Sequence, residues 1–160
     1  MQHVELGRSG LKVSPICLGT MTFGTENGWG CDRETARAMF DTYLASGGNF
    51  IDSADIYTQG TAETWLGEFM SETGMRDRVV LATKYSFNHQ NPQGNPNAAG
   101  NGRKNLIRSL DASLARHATR HASAQQLALL ADWLEQTLTD ALAAAIAHNQ
   151  SNAQVLQHLQ

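Results

Sequence analysis

Apolar and polar positions fall into short blocks along the first two thirds of the chain, and each block predicts an element. Val4-Glu5-Leu6 and Leu11-Lys12-Val13 flank Gly7-Arg8-Ser9-Gly10, the pattern of a small hairpin, which Pro15 ends. Ile16-Cys17-Leu18-Gly19 is a short apolar run of the type buried on both faces in a parallel sheet. A Gly-rich loop over 22–30 follows, with Phe23 and Trp29 in it. Behind Asp32, a good N-cap, Ala36, Met39, Phe40, Tyr43 and Leu44 recur at helical spacing. They predict a helix over 33–46 with one buried stripe, stopped by Gly47 and Gly48. Residues 49–53 read as a second strand. Thr61 reads as the cap of a second helix carrying Trp65, Leu66, Phe69 and Met70, with Gly74 at its end. Residues 78–83 form a third strand, and Gly100 and Gly102 open a third helix with Leu106, Ile107, Leu110 and Leu114 on its inner face.

Three strand–helix units in succession place the chain in the α/β class, a parallel sheet with helices packed outside it. The loop over 88–102 is long, nearly uncharged and rich in Asn, Gln, Pro and Gly. Its place after the C-terminal end of a strand favours a functional role. From His117 the composition shifts to Ala, Gln and Leu, with Arg120 the only Lys or Arg. Leu127, Leu130, Leu134, Leu138, Leu142 and Ile146 predict a long amphipathic helix over about 123–147. No strand-like run follows, so the sheet stops at three strands. The expected organisation is a strand–helix unit over 1–116 and a helical tail over 117–160.

A chain of 160 residues and 17.4 kDa is one domain by length and can bury a core. A net charge of −3 excludes the basic footprint of a nucleic-acid binder. No apolar run reaches the roughly 18 residues of a membrane span, and the N-terminus has no signal-peptide pattern. Asp132, Glu135 and Asp140 on the tail argue against a membrane surface. Cys17 and Cys31 lack Cys-x-x-Cys spacing and read as buried or semi-buried thiols in a reducing cytoplasm. His117 and His121 are four apart with no further ligands at suitable spacing, so no metal is expected.

The chemistry-bearing positions sit at the ends of two apolar runs. Phe50-Ile51-Asp52-Ser53-Ala54-Asp55-Ile56-Tyr57 supplies Asp52 and Tyr57, and Val79-Val80-Leu81-Ala82-Thr83-Lys84 supplies Lys84. A lysine can lower the pKa of a tyrosine hydroxyl, and a carboxylate can hold that lysine in place. A tyrosine tuned in this way can protonate a substrate oxygen near neutral pH, the acid half of a carbonyl reduction. Asp55 reads as a solvated loop acid, and Glu63 as a favourable partner of the second helix's N-terminus.

Residues 3–116 resemble the first three strand–helix units of an aldo-keto reductase, most closely the broad branch acting on aldehydes, aryl alcohols and related carbonyls. The resemblance is carried by Leu6-Gly7-Arg8-Ser9-Gly10-Leu11-Lys12-Val13-Ser14 and Leu18-Gly19-Thr20-Met21-Thr22-Phe23-Gly24. Asn49 to Tyr57, Glu63-Thr64-Trp65-Leu66-Gly67 and Ala82-Thr83-Lys84 continue it in family order. It implies a (β/α)8 TIM-barrel fold, here partial, with NADPH at the C-terminal face and hydride transfer to a small-molecule carbonyl substrate. It further implies that Tyr57 is the acid, with Lys84 and Asp52 as its partners. Gly19, Thr20, Met21 and Asp52 would touch the nicotinamide side of the cofactor, and Phe23, Trp29 and Tyr57 the substrate.

Two features depart from the family pattern. The family's catalytic histidine closes a fourth strand, whereas here Arg116 is followed by His117-Ala118-Thr119-Arg120-His121, and neither histidine is assigned to that role. The resemblance places the adenosine and 2′-phosphate contacts on later barrel elements, which are not expected in this chain, so the isolated chain is expected to bind NADPH weakly or not at all. Open sheet edges and the tail helix favour homo-oligomers. Two functional readings follow: an NADPH-dependent carbonyl reductase, or an inactive truncated or rearranged barrel fragment acting through protein association.

Overall fold

The structure is a computed structural model that describes residues 1–87 and 94–117. The tail helix predicted over 123–147 and part of the 88–102 loop lie outside the described residues. A hairpin opens the chain: β1 (Val4–Glu5) pairs antiparallel with β2 (Lys12–Val13), with Val4 opposite Val13. Three strands then form a parallel sheet in the order β3 (Leu18–Gly19), β4 (Phe50–Asp52), β5 (Val80–Ala82). Leu18 lies opposite Ile51, Gly19 opposite Asp52, and Asp52 opposite Ala82. In-register parallel strands bring their C-terminal ends to one rim, as in the open part of a (β/α)8 barrel.

Helix α1 (Arg33–Ala45) begins where the Asp32 carboxylate accepts the Thr35 N–H at 2.8 Å. Ala36, Phe40 and Tyr43 are buried as the spacing predicts, whereas Met39 is 40% exposed. Met39 lies off the face that meets α2 (Thr61–Thr73), where the Phe40 and Phe69 ring centroids stand 5.6 Å apart. Arg33 and Arg37 cover the outer face of Phe69 at 5.1 and 5.3 Å, and Arg33 pairs with Glu68 at 2.9 Å. The core is Phe23, Phe40, Ile51, Leu66, Phe69, Met70 and their neighbours. The buried Tyr43 hydroxyl lies 2.8 Å from the Ile16 carbonyl and accepts the Phe50 N–H at 3.0 Å, tying the approach to β3 onto β4.

Three expectations are corrected. The run over 16–19 is not buried on both faces: Ile16 is 63% exposed and Cys17 is exposed, because β3 is the edge of the described sheet. Thr61 is the first helical residue of α2 rather than its cap; that position belongs to Gly60, whose φ of 95° turns the chain into the helix. Most consequential is α3 (Arg103–Arg116), which buries Asn105, Ser109 and Ser113 while Leu106 and Ile107 are 37% and 40% exposed. The polar stripe faces inward because its small side chains permit a close approach: a Cβ at Gly67 of α2 would stand 2.7 Å from the Arg116 carbonyl oxygen. Asn105 secures the helix start by donating to the Gly100 carbonyl at 2.8 Å.

Candidate functional site

Asp52 is the last residue of β4, and its backbone carbonyl accepts both the N–H and the hydroxyl of Thr20 at 3.0 Å. The β4–β5 pairing continues past the strand ends, with the Ser53 N–H donating to the Ala82 carbonyl at 2.8 Å and Asp55 N–H to Lys84 carbonyl at 3.0 Å. This extension sets Lys84 beside the rim. Its Nζ donates to Asp52 Oδ1 at 2.6 Å and to the Ser53 carbonyl at 2.7 Å. The same ammonium lies 4.8 Å from the centroid of the Tyr57 ring, over its face, a cation–π contact. Burial alone would lower the Lys84 ammonium; the hydrogen bond to Asp52 and the contact with Tyr57 outweigh it and hold Lys84 above its ordinary value. Asp52 and Tyr57 from one segment and Lys84 from another form one group.

The other predicted residues divide. Gly19 is exposed with open space where a side chain would project, and Met21 is 50% exposed, so the two form an accessible ledge beside Asp52. Thr20 is fully buried with its hydroxyl turned to the Asp52 carbonyl, so it shapes the rim and offers no side chain to a cofactor. Trp29 is 48% exposed and available to a substrate, whereas Phe23 is wholly buried in the core and presents no surface to one. Apolar residues in a glycine-rich loop look alike in sequence, and here one folds under the loop while the other stays on top.

Beneath the rim lies a second group. Glu63 is fully buried. Its carboxylate accepts the Thr83 hydroxyl at 2.5 Å and Arg116 Nε at 2.6 Å, and His117 Nε2 lies 3.4 Å away. The His117 contact has ion-pair distance without hydrogen-bond geometry, and neither ring nitrogen has a hydrogen-bond partner among the described residues. Burial would push the Glu63 carboxyl up, but contacts with His117, Thr83 and Arg116 outweigh it and hold it at about 2. Asp55 is 6% exposed, not the solvated acid expected, and burial together with the nearby Glu63 charge pushes its carboxyl up. Glu63 shares helical spacing with Leu66, Gly67 and Met70, which places it on the buried stripe of α2; that spacing was the available signal. No group of three or more His, Cys, Asp or Glu suited to a metal occurs among the described residues.

Residues 15–152 match the Aldo/keto reductase family. The chain belongs to the aldo/keto reductase family. The match runs past Arg116 and takes in much of the segment that composition had set apart as a separate tail. Among curated proteins, norsolorinic acid reductase of Aspergillus flavus is 49% identical over 86 residues, covering 51% of this chain and 22% of that protein. An aryl-alcohol dehydrogenase of Pestalotiopsis microspora is 40% identical over 101 residues, covering 60% and 26%. Among solved structures, an aldo-keto reductase from Bacillus halodurans in its holo form aligns with a TM-score of 0.63 at 31% identity. That alignment covers 76% of this chain and 38% of that one. The matched part of this aldo/keto reductase chain thus spans about a quarter of the curated relatives' length. No helix among its described residues is long and apolar enough to cross a membrane.

Proposed function

We propose that this chain carries the proton-donating rim of an NADPH-dependent carbonyl reductase that converts aldehydes or ketones to alcohols. The observation that supports this most is the meeting of Asp52, Lys84 and Tyr57 at the C-terminal ends of parallel strands, with Lys84 Nζ 2.6 Å from Asp52 and 4.8 Å from the Tyr57 ring centroid. Barrels of this type carry their chemistry at that end. Tyr57 gives its hydroxyl proton to the carbonyl oxygen as charge builds there. The Lys84 ammonium offsets the negative charge left on the phenolic oxygen, and Asp52 fixes that ammonium in place. Gly19 and Met21, exposed beside Asp52, would hold the nicotinamide side of the cofactor, which when bound would supply a hydride to the carbonyl carbon. Exposed Trp29 offers an aromatic wall, and the aryl-alcohol dehydrogenase relative favours an aryl carbonyl as substrate. Two free thiols, Cys17 and Cys31, suit a reducing cytoplasm as the place of action.

The test is aldehyde-dependent oxidation of NADPH by the full chain at millimolar cofactor, followed by nicotinamide absorbance with benzaldehyde and aliphatic aldehydes. The expected result is slow loss of absorbance that requires both protein and aldehyde. Cofactor that stays reduced with every aldehyde overturns the reading.

A second reading, action through association, is favoured by the outward Leu106 and Ile107 of α3. It expects dimers or larger species by light scattering, with no turnover.

A further inference from the structure

The turn that carries Tyr57 has an unusual backbone. After Tyr57, Thr58 lies at φ 44°, ψ 46° and Gln59 at φ 56°, ψ 30°, followed by Gly60 at φ 95°. Three successive left-handed residues are uncommon, and a β-branched threonine is the least suited of side chains to that region. Such a conformation persists only where its surroundings impose it. Thr58 is 0% exposed. Its hydroxyl donates a short hydrogen bond to the carbonyl of Phe23, itself fully buried. The fit around it is close: a Cβ at Gly24 would stand 2.8 Å from Thr58 Cβ and 2.9 Å from Cγ2.

The Phe23 carbonyl is in turn held in place. Phe23 N–H donates to the Thr20 carbonyl at 3.0 Å, and Thr20 is bound through its own N–H to the Asp52 carbonyl at 3.0 Å. A covalent and hydrogen-bonded path therefore runs from the end of β4, through the loop after β3, to Thr58. Tyr57 lies between the two fixed points, with its N–H donating to the Ala54 carbonyl at 3.1 Å.

We propose that Thr58 is a positioning residue, whose buried hydroxyl on the Phe23 carbonyl imposes the left-handed turn that sets the Tyr57 ring under the Lys84 ammonium. This rests on the reading of Tyr57 and Lys84 as the proton-donating pair. Without that hydroxyl, the turn relaxes toward the right-handed region and swings Tyr57 away from Lys84. The hydroxyl is thus the group that matters, and serine can supply it.

The contact can be read without turnover. The sequence has lysines only at 12, 84 and 104, so the ε-methylene signals of lysine-labelled full chain are few, and Lys84→Met assigns that of Lys84. An ammonium over a ring face places its methylene in the shielding cone of the ring. The Lys84 signal is expected upfield in the wild type and at its ordinary position in Tyr57→Leu. Thr58→Ala is expected to lose the upfield shift, and Thr58→Ser to keep it. Thr58→Gly enters the left-handed region without steric penalty and is expected to keep the turn and the shift, while Thr58→Ser remains a folded test if alanine destabilises the chain. A folded Thr58→Ala protein that retains the full shift, or a folded Thr58→Ser protein that loses it, overturns the proposal while leaving the Tyr57–Lys84 pair intact. A wild-type Lys84 signal that Tyr57→Leu does not move overturns the pair itself, and the positioning role with it.

Discussion

Lys84 Nζ donates to Asp52 Oδ1 at 2.6 Å across the ends of two neighbouring parallel strands. The pair is half-exposed, with side-chain accessibilities of 49% and 36%, so its value to stability is small, of order 0–1 kcal/mol. Its effect is electrostatic and local. Burial acts to lower Lys84, while the hydrogen bond to Asp52 and the contact with Tyr57 raise it more. Asp52→Asn is therefore expected to bring the Lys84 titration down, by lysine carbon NMR, with a change in folding stability of about 1 kcal/mol or less. An unmoved Lys84 titration would show that the carboxylate does not control it.

Cys17 serves as a nearby electrostatic reporter. It is exposed, yet its thiol is pushed up by burial and by the Asp52 charge, with Lys84 acting in the opposite direction. The thiolate is the reactive form. Alkylation of Cys17 near neutral pH is expected to be slow for an exposed cysteine, faster in Asp52→Asn and slower still in Lys84→Met. Mass spectrometry after timed alkylation distinguishes it from Cys31. Equal rates in all three proteins would place Cys17 outside the field of the pair.

Glu63 governs acid stability. Its carboxyl is held at about 2 in the fold against an ordinary 4.5. A depressed carboxylate contributes stability that is complete above about pH 4.5 and is lost as pH falls toward 2. Asp55 runs the other way, since its raised carboxyl makes the ionised form unfavourable in the fold. Circular dichroism against pH should show a loss of stability between 4.5 and 2 in the wild type. Glu63→Ala is expected to cost about 3–5 kcal/mol at neutral pH, because it strands the Arg116 charge, and Asp55→Asn to cost nothing or stabilise. A Glu63→Ala protein as stable as wild type would contradict the burial of this group.

Exposed and buried positions of α3 make contrasting substitutions. Leu106→Ser and Ile107→Ser, at positions 37% and 40% exposed, should change stability by no more than about 0.5 kcal/mol. Ser109→Leu, at a position 7% exposed against the rest of the unit, should overpack it and cost about 1–3 kcal/mol. The reverse ranking in chemical denaturation would restore the apolar stripe to the inside.

What could be read from sequence was what local periodicity determines. The three strands, the Asp32 cap and the Gly47 and Gly74 stops follow from residue type alone, and the Asp52–Lys84 contact follows from parallel register. What was not legible depends on which surface an element meets. The Leu106, Ile107, Leu110, Leu114 stripe marks an apolar face of α3, but the approach of α2 through Gly67 turns the helix so that Asn105, Ser109 and Ser113 are buried, Leu110 and Leu114 half-buried, and Leu106 and Ile107 exposed. Glu63 in the first turn of α2 is indistinguishable in type from an ordinary partner of the helix dipole. Its spacing with Leu66, Gly67 and Met70 is the one signal of burial, and its partner Arg116 lies 53 residues away, beyond the reach of local pattern. Thr58 carries no signal of its left-handed backbone, which the Phe23 carbonyl imposes from the preceding loop.

The measurement that bears most directly on Tyr57 as proton donor is the rate of aldehyde-dependent NADPH oxidation in Tyr57→Phe against the wild-type full chain, at the same millimolar cofactor. Removing the hydroxyl keeps the ring under Lys84 and deletes only the transferable proton. The expected result is a fall in kcat of about 10²–10⁴-fold with little change in KM, the size of a lost general acid. A Tyr57→Phe protein that turns over at the wild-type rate would contradict it.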